Sequence, residues 1–153
     1  MNHDGSYELI PYKNGKIEGK RQFYNTEGKL KVEATFKNNR IEGIAKLYYD
    51  NGKLRAEMPI KNDKANGIGK MYYQNGNLLA QIPMLNDKVN GTIKYYRKGN
   101  KLAWQMIVKQ NRFISGKCVN GKILNKSHFT KAKNETERMT ATDTEVNLQT
   151  FCQ

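Results

Sequence analysis

The sequence predicts an all-β fold, an elongated and twisted antiparallel meander of β-hairpins with about nine or ten strands. Three observations lead to this prediction. The chain repeats itself with a 24-residue period and no gaps, each repeat carries a turn signal rich in Asn and Gly, and apolar and polar residues alternate after that turn. A repeat array buries its core between neighbouring units and leaves a long outer surface, so it is more often a binding architecture than a catalytic one.

Three positions of each unit define the repeat. A glycine opens the unit, a tyrosine follows five residues later, and a leucine follows six residues after the tyrosine. These positions are Gly19, Gly43, Gly67 and Gly91; Tyr24, Tyr48, Tyr72 and Tyr96; and Leu30, Leu54, Leu78 and Leu102. We expect the four leucines to line up in one buried column.

The unit that begins at Gly43 shows why one repeat predicts one hairpin. Its first run, residues 44–49, is short and rich in aromatic and β-branched residues. Asp50-Asn51-Gly52 follows. This segment favours a turn because Asn and Gly accept positive φ at little cost. The second run alternates between Leu54, Ala56, Met58 and Ile60 on one side and Lys53, Arg55, Glu57 and Lys61 on the other. A period of two predicts a strand with one buried face.

The array is predicted to span residues 1–124. Its full repeats are residues 18–41, 42–65, 66–89 and 90–113, with partial units at both ends. Residues 125–153 form a C-terminal extension. The sequence is compatible with two structures for it, a cap docked on the array or a flexible tail.

The three prolines, Pro11, Pro59 and Pro83, share one phase of the repeat. Because proline has no N–H, we expect either an interruption of the hydrogen-bond ladder or a strand end at this phase.

The chain of 153 residues has 27 basic and 14 acidic side chains and a net charge of +13. Residues 1–124 hold 23 of the basic and 10 of the acidic side chains, and no acidic residue lies between Lys88 and Asn134. Such a positive end attracts anions over about 8–10 Å at physiological salt. A solvated face that keeps the protein soluble is the alternative interpretation of these charges.

The sequence shows no transmembrane run and no leader in residues 1–5. A cytoplasmic location is therefore expected from the missing signal, and an exported or cell-envelope location if the chain is a mature fragment. Cys118 and Cys152 could pair in an oxidising compartment or remain free thiols in a reducing one.

The unit spacing, the aromatic pair before the turn and the Gly-Lys-Leu after it resemble MORN-type repeats, in the variant of the bacterial YwqK-family antitoxins. The matching segments are residues 47–54 and 71–78, and weaker copies occur around Tyr24 and Tyr96. The resemblance covers about residues 7–124. It implies an open array of β-hairpins in a bacterial protein and scaffolding, dimerisation or membrane association as roles.

Catalytic chemistry is not expected. Both histidines, His3 and His128, lie in the terminal segments, and no phosphate-binding loop or metal-ligand spacing is present. Glu33 and Glu57 share an outward phase and are expected to pair with lysines across the strands. We therefore predict no enzyme activity, no cofactor and no metal site.

Two sets of side chains are candidates for binding. The basic set consists of Arg40, Lys64, Lys88 and Arg112 at one repeat phase, together with Lys94, Arg97, Lys98, Lys101 and Lys109. The aromatic set is Tyr49 and Tyr73, which we expect on the outer face, whereas the four repeat tyrosines are expected to be structural. Basic rows at strand spacing can contact a polyanion at several points together.

These features predict a non-catalytic protein-interaction module that binds an acidic partner protein. The resemblance implies an antitoxin-like protein that neutralises its partner by covering it. The alternative is a bacterial envelope or secreted binder of anionic lipid headgroups, glycan or a host surface. Sequence-specific nucleic-acid binding is not indicated, since no recognition motif is present. Dimerisation through the unpaired strands at the array ends is a further expectation.

Overall fold

The computed structural model describes residues 3–131 and 152–153 of the chain. It confirms the predicted fold class, since the described residues are mostly β and form a large open antiparallel sheet of 13 strands. The strands are β1 Tyr7–Leu9, β2 Tyr12–Lys13, β3 Lys16–Ile17, β4 Gly19–Tyr24, β5 Leu30–Lys37, β6 Arg40–Tyr48, β7 Leu54–Lys61, β8 Lys64–Ala65, β9 Gly67–Tyr72, β10 Leu78–Leu85, β11 Lys88–Val89, β12 Gly91–Arg97, β13 Lys101–Lys109, β14 Arg112–Cys118 and β15 Ile123–Leu124. Residues 126–131 form a short helix.

Successive strands pair as a meander. The order across the sheet is β1-β4-β5-β6-β7-β9-β10-β12-β13-β14-β15, with β8 on β7 and β11 on β10, and β2 pairs with β3 in a separate two-stranded sheet. Each full repeat supplies one hairpin, and the long strands of neighbouring hairpins pair edge to edge, as the repeat pattern predicts.

The predicted count of nine or ten strands is too low, because the return strand of a repeat is split at the proline phase. Pro59 lacks an N–H, and its carbonyl oxygen accepts the N–H of Asn66 at 2.9 Å. The next residue, Gly67, has φ of 130°, and a Cβ at this position would lie 3.0 Å from the Cβ of Pro59. The strand therefore breaks into β8 and β9. The structure therefore confirms the first of the two expectations for the prolines, an interruption of the hydrogen-bond ladder.

A β-bulge interrupts the predicted eight-residue alternation. Tyr48 pairs with Leu54, whereas the preceding Leu47 pairs with Ala56, so the register shifts at Arg55. The same shift follows Phe23, Tyr95 and Leu78. Leu54 therefore shares a face with Tyr48 and not with Ala56.

The four repeat leucines, Leu30, Leu54, Leu78 and Leu102, do occupy equivalent positions opposite the repeat tyrosines. They are half-buried, so the column that they form is less buried than the sequence predicts.

The core lies at the C-terminal end of the array. Trp104, Met106 and Val108 of β13 are at most 1% exposed, and Trp104 stacks on Tyr95 with 4.8 Å between the ring centroids. Phe129 of the short helix packs on the same face of the sheet. Equivalent positions in the first repeats are less covered, since Val32, the counterpart of Trp104, is 37% exposed. One sheet face is thus mostly apolar, with the Arg21–Glu8 ion pair near its N-terminal end, and most of the charges lie on the other face.

Candidate functional site

The turns that connect one repeat to the next place basic residues in pairs. Both central residues of each turn have positive φ, for example Asn62 at 49° and Asp63 at 63°, which is the type I′ conformation of tight hairpins. The residues that flank the turns face each other in register and are all exposed. These tip pairs are Lys13–Lys16, Lys37–Arg40, Lys61–Lys64, Leu85–Lys88 and Lys109–Arg112.

The tips are held at a regular spacing by a repeated pair of hydrogen bonds, which we call the tip stitch. The N–H of Asp63 donates to the carbonyl oxygen of Ile41 at 3.2 Å, and the N–H of Ile41 donates to Oδ1 of Asp63 at 2.6 Å. The same two bonds join Asn39 to Ile17, Asp87 to Ala65 and Asn111 to Val89. Each tip is therefore fixed to the preceding one.

A row of polar side chains crosses the middle of the sheet. Its members are direct partners on successive strands, so their side chains share one face. This middle row is Gln22, Glu33, Lys46, Glu57, Lys70, Gln81, Lys94, Gln105 and Lys117. The tip pairs lie on the same face because alternate residues of a strand point to one side, as Gln105, Ile107 and Lys109 do in β13. We call this side the cationic face.

The carboxylates of the middle row are neutralised by neighbours, as the sequence predicts. Glu33 is 7% exposed and accepts a hydrogen bond from Nε2 of Gln22 at 2.9 Å, and Nζ of Lys20 lies 3.4 Å away. Glu57 lies 3.8 Å from Nζ of Lys70. These acid–lysine pairs stabilise the face.

The repeat tyrosines border the middle row. The hydroxyl of Tyr72 donates to Oε1 of Glu57 at 2.8 Å, and that of Tyr96 donates to Oε1 of Gln81 at 3.0 Å. Burial and the bond to Glu57 raise the pKa of Tyr72 to about 12. Burial, together with the charges of Glu33 and Glu57, raises the pKa of Tyr48 as well. These contacts support the structural role expected for the four tyrosines.

Part of the array is similar to a known repeat family. The family described as "MORN repeat variant" matches residues 17–38, 41–62 and 65–86. They comprise 66 of the 153 residues, and in these segments the chain is similar to MORN repeats. MORN repeats are generally non-enzymatic protein- and membrane-binding modules. No curated protein matches the chain.

Similar solved structures are distant. A TarM variant from S. aureus, solved with fondaparinux, α-GlcNAc-glycerol and UDP, is 9% identical with a TM-score of 0.38, and the match covers 88% of this chain and 24% of that one. The accessory secretory proteins 1, 2 and 3 of Streptococcus pneumoniae give 11% identity and a TM-score of 0.29, over 92% of this chain and 25% of that one. The chain thus spans about a quarter of the length of these proteins. Similarities this weak do not indicate a shared function.

Most of the basic candidates lie at three places: the tips, the middle row and the opposite end of the fourth hairpin. Arg40, Lys64, Lys88, Lys109 and Arg112 lie at the tips, and Lys94 lies in the middle row. Lys98 and Lys101 are exposed at the opposite end of the fourth hairpin. The sequence did not single out the tip partners Lys13, Lys16, Lys37 and Lys61, although each lies three residues before or after a basic residue across a two-residue turn.

Arg97 is not a surface residue of the cationic face. It is half-buried, and one of its guanidinium nitrogens donates to the carbonyl oxygen of Cys152 at 2.6 Å. Asn120 donates to the same oxygen at 3.0 Å, and Cys152 forms a disulfide with Cys118. Arg97 therefore anchors the end of the chain to the array. Residues 132–151, where the rest of the extension lies, are outside the described part of the chain.

The prediction that Tyr49 and Tyr73 form an exposed aromatic surface is wrong for Tyr73, which is only 6% exposed. Tyr49 is half-buried. The Tyr49 hydroxyl donates to the carbonyl oxygen of Tyr72 at 2.6 Å, and the Tyr73 hydroxyl donates to that of Tyr96 at 2.8 Å. Each ring therefore reaches across to the next repeat. The cause is the turn geometry, since the residue after the repeat tyrosine already begins the turn.

The described residues contain no group of three or more potential metal ligands. His3 is exposed, and Nδ1 of His128 accepts the N–H of Asn125 at 3.1 Å at the start of the short helix. Within residues 3–131 and 152–153, no helix is long and apolar enough to cross a bilayer.

Proposed function

We propose that the protein is a non-catalytic interaction module that binds an anionic macromolecular surface with its cationic face. The tip pairs are the observation that carries this proposal. Four of the five pairs consist of two basic residues, all of them are exposed, and none makes an ion pair with a described residue. Cations without protein partners are the ones whose charge remains available to a ligand.

The spacing of the tips favours a ligand with several negative charges. Equivalent tips lie two strands apart, roughly 9–10 Å. This distance is about one Debye length at physiological salt, so the tips repel each other weakly, whereas a polyanion can contact several of them at once. The tip stitches fix the spacing before binding, which reduces the conformational entropy that binding must overcome.

The narrower form of the proposal is an acidic partner protein, which an antitoxin-like protein would neutralise by covering it. The general role of MORN repeats as protein-binding modules supports this form. Electrostatic attraction would also accelerate the encounter with such a partner.

The second form is a binder of anionic lipid, glycan or host surfaces in the bacterial envelope. The disulfide between two buried cysteines, Cys118 and Cys152, supports it, because such bonds persist in oxidising compartments. We accordingly place the protein outside the reducing cytoplasm as part of this form of the proposal.

The test compares two variants with equal net charge on a heparin column. The tip variant K37Q/K61Q/K109Q removes three lysines without ion pairs, and the control K29Q/K31Q/K70Q removes three lysines that each pair with a carboxylate. We expect the tip variant to elute at clearly lower salt than the control. Equal elution would contradict the proposal, because retention would then follow net charge alone. Co-purification with an acidic protein would favour the narrower form.

A further inference from the structure

The described array begins with half a repeat. Residues 6–13 have the same phase as residues 30–37, which contain β5, and β1 and β2 lie in this segment. In each full repeat the second strand is covered on one side by the first strand of the same hairpin, as β4 covers β5. Among the described residues no strand pairs with this side of β1 or β2, so an open sheet edge remains there.

The backbone groups of this half-repeat point to the open edge at alternate residues. Tyr12 belongs to the second residue pair from the two-residue turn between β2 and β3, which is a non-hydrogen-bonded pair, so its N–H and C=O point away from β3. The carbonyl oxygen of Pro11 points inward and accepts the N–H of Glu18 at 3.0 Å. Alternation along the chain then directs the backbone groups of three residues to the open edge: Glu8, Ile10 and Tyr12. The proline costs this edge no donor, because its missing N–H would point inward.

The side chains of the half-repeat reverse the pattern of the full repeats at two adjacent positions. Leu9 is the direct partner of Gln22 and lies on the cationic face, where the same phase of the full repeats holds Glu33, Glu57, Gln81 and Gln105. Glu8 lies on the apolar face, where the same phase holds Val32, Ala56, Ala80 and Trp104. Leu9 is 50% exposed, and the Glu8 side chain is 33% exposed and lies 2.7 Å from the guanidinium of Arg21. The edge therefore presents an apolar side chain on the cationic face and a carboxylate on the apolar face.

This reversal determines which strand can cover the edge, because direct partners across strands share a face and interact. The first strands of the full repeats place a polar residue and then an apolar residue at the two facing positions: Gln22-Phe23, Lys46-Leu47, Lys70-Met71 and Lys94-Tyr95. That order would set a polar side chain against Leu9 and an apolar one against Glu8, so these strands of a second copy do not match the edge. A matching strand has an apolar residue facing Leu9 and a basic residue facing Glu8, whose carboxylate can accept hydrogen bonds from two cations.

We propose that the open edge of the N-terminal half-repeat binds an extended segment of another protein by strand addition. The segment carries an apolar residue opposite Leu9 and, next to it, a basic residue opposite Glu8. Backbone hydrogen bonds to the edge hold the segment, and the two side-chain pairs give the specificity. This edge is separate from the cationic face, so the inference goes beyond the proposed function and does not depend on it.

The test uses two fluorescent peptides of identical composition and the full chain. The array-like peptide, Gly-Ile-Ala-Lys-Leu-Tyr-Tyr, has the sequence of residues 43–49, and the exchanged peptide, Gly-Ile-Ala-Leu-Lys-Tyr-Tyr, swaps its Lys and Leu. The variant E8V/L9E gives the half-repeat the Val32-Glu33 pair of the first full repeat and leaves the net charge unchanged. Binding is measured by fluorescence anisotropy, with circular dichroism as the check on folding.

We expect the exchanged peptide to bind the wild-type protein about fivefold more tightly than the array-like peptide, because both of its facing side chains match the edge. E8V/L9E should invert this preference. N-methyl groups on the Ala and Lys of the exchanged peptide should abolish binding, since these N–H groups face the edge, whereas N-methyl groups on its Ile and Leu should have little effect. The methylated peptides test the geometry of strand addition without any change to the protein.

Equal affinities of the two peptides, a preference that E8V/L9E leaves unchanged, or equal effects of the two methylations would overturn the inference. Lack of binding by both peptides would also overturn it, while the heparin test of the proposed function would be unaffected. Analytical ultracentrifugation of the protein alone checks for a second copy at the edge. A dimer that E8V/L9E dissociates would overturn the proposed partner, because the edge would then be covered by another molecule of the same chain.

Discussion

Reduction of the Cys118–Cys152 disulfide should lower the free energy of unfolding by about 4 kcal/mol. The two cysteines are 34 residues apart in sequence. In the chain-entropy model, closing a loop of this length removes about 12.6 cal/mol/K from the unfolded chain, which is about 3.8 kcal/mol at 25 °C. Both cysteines are at most 2% exposed, so the bond joins groups that are already packed in the folded protein.

The assay is guanidinium unfolding followed by the fluorescence of Trp104, the one tryptophan of the chain, which is buried in the core. The oxidised protein is compared with the protein in excess reductant. The variant C118A/C152A is the control, since it should unfold at the same denaturant concentration with or without reductant. Coincident curves for oxidised and reduced wild type would refute the reasoning, because the bond would then contribute nothing to closing the chain.

Three further predictions concern the repeat itself. Y73F should lower the free energy of unfolding by about 1 kcal/mol in urea melts, because the hydrogen bond to the Tyr96 carbonyl is lost; an unchanged midpoint would contradict this. G67A should lower it by about 1–3 kcal/mol, since a side chain at φ of 130° is strained and meets Pro59, and a thermal melt equal to that of wild type would argue against the strain. Tyr72 has its pKa raised to about 12, so its contribution to stability is complete below about pH 10, the pKa of an unfolded tyrosine, and is lost as the pH rises towards the folded pKa. Stability measured across this interval should therefore fall less in Y72F than in wild type, and parallel losses would count against the assignment.

The parts of the fold that follow from local chemistry could be predicted from the sequence. The Asp50-Asn51-Gly52 turn and the runs on either side of it each require only nearest-neighbour preferences, and the period then copies the hairpin along the chain. The pairing of the Glu33 and Glu57 phase with lysines was also predictable, because outward residues of adjacent strands lie side by side and several of those near Glu33 and Glu57 are lysines.

Features that depend on a bulge within a hairpin, or on contacts with another hairpin or with the end of the chain, were missed. The bulge at Arg55 shifts Leu54 to the face of Tyr48, and no residue type in the sequence signals it. Tyr73 follows the repeat tyrosine, and strand alternation therefore predicts it on the outer face. Its hydroxyl instead donates to a carbonyl oxygen in the following repeat. Arg97 was assigned to the basic surface because its partner, Cys152, is 55 residues away in the chain. The tip turns did leave a signal, since Asn-Asn and Asn-Asp recur at one phase.

The tip stitch makes the array extensible in whole units. Each of its hydrogen bonds joins residues 22 apart, and the same pair recurs from one hairpin to the next. Duplicating or deleting a block of 24 residues would therefore recreate every stitch with a new partner of the same kind. Gene duplication could lengthen such a protein stepwise while the disulfide-anchored end stays as it is. The length of the array and the anchoring of its C-terminal end can therefore evolve separately.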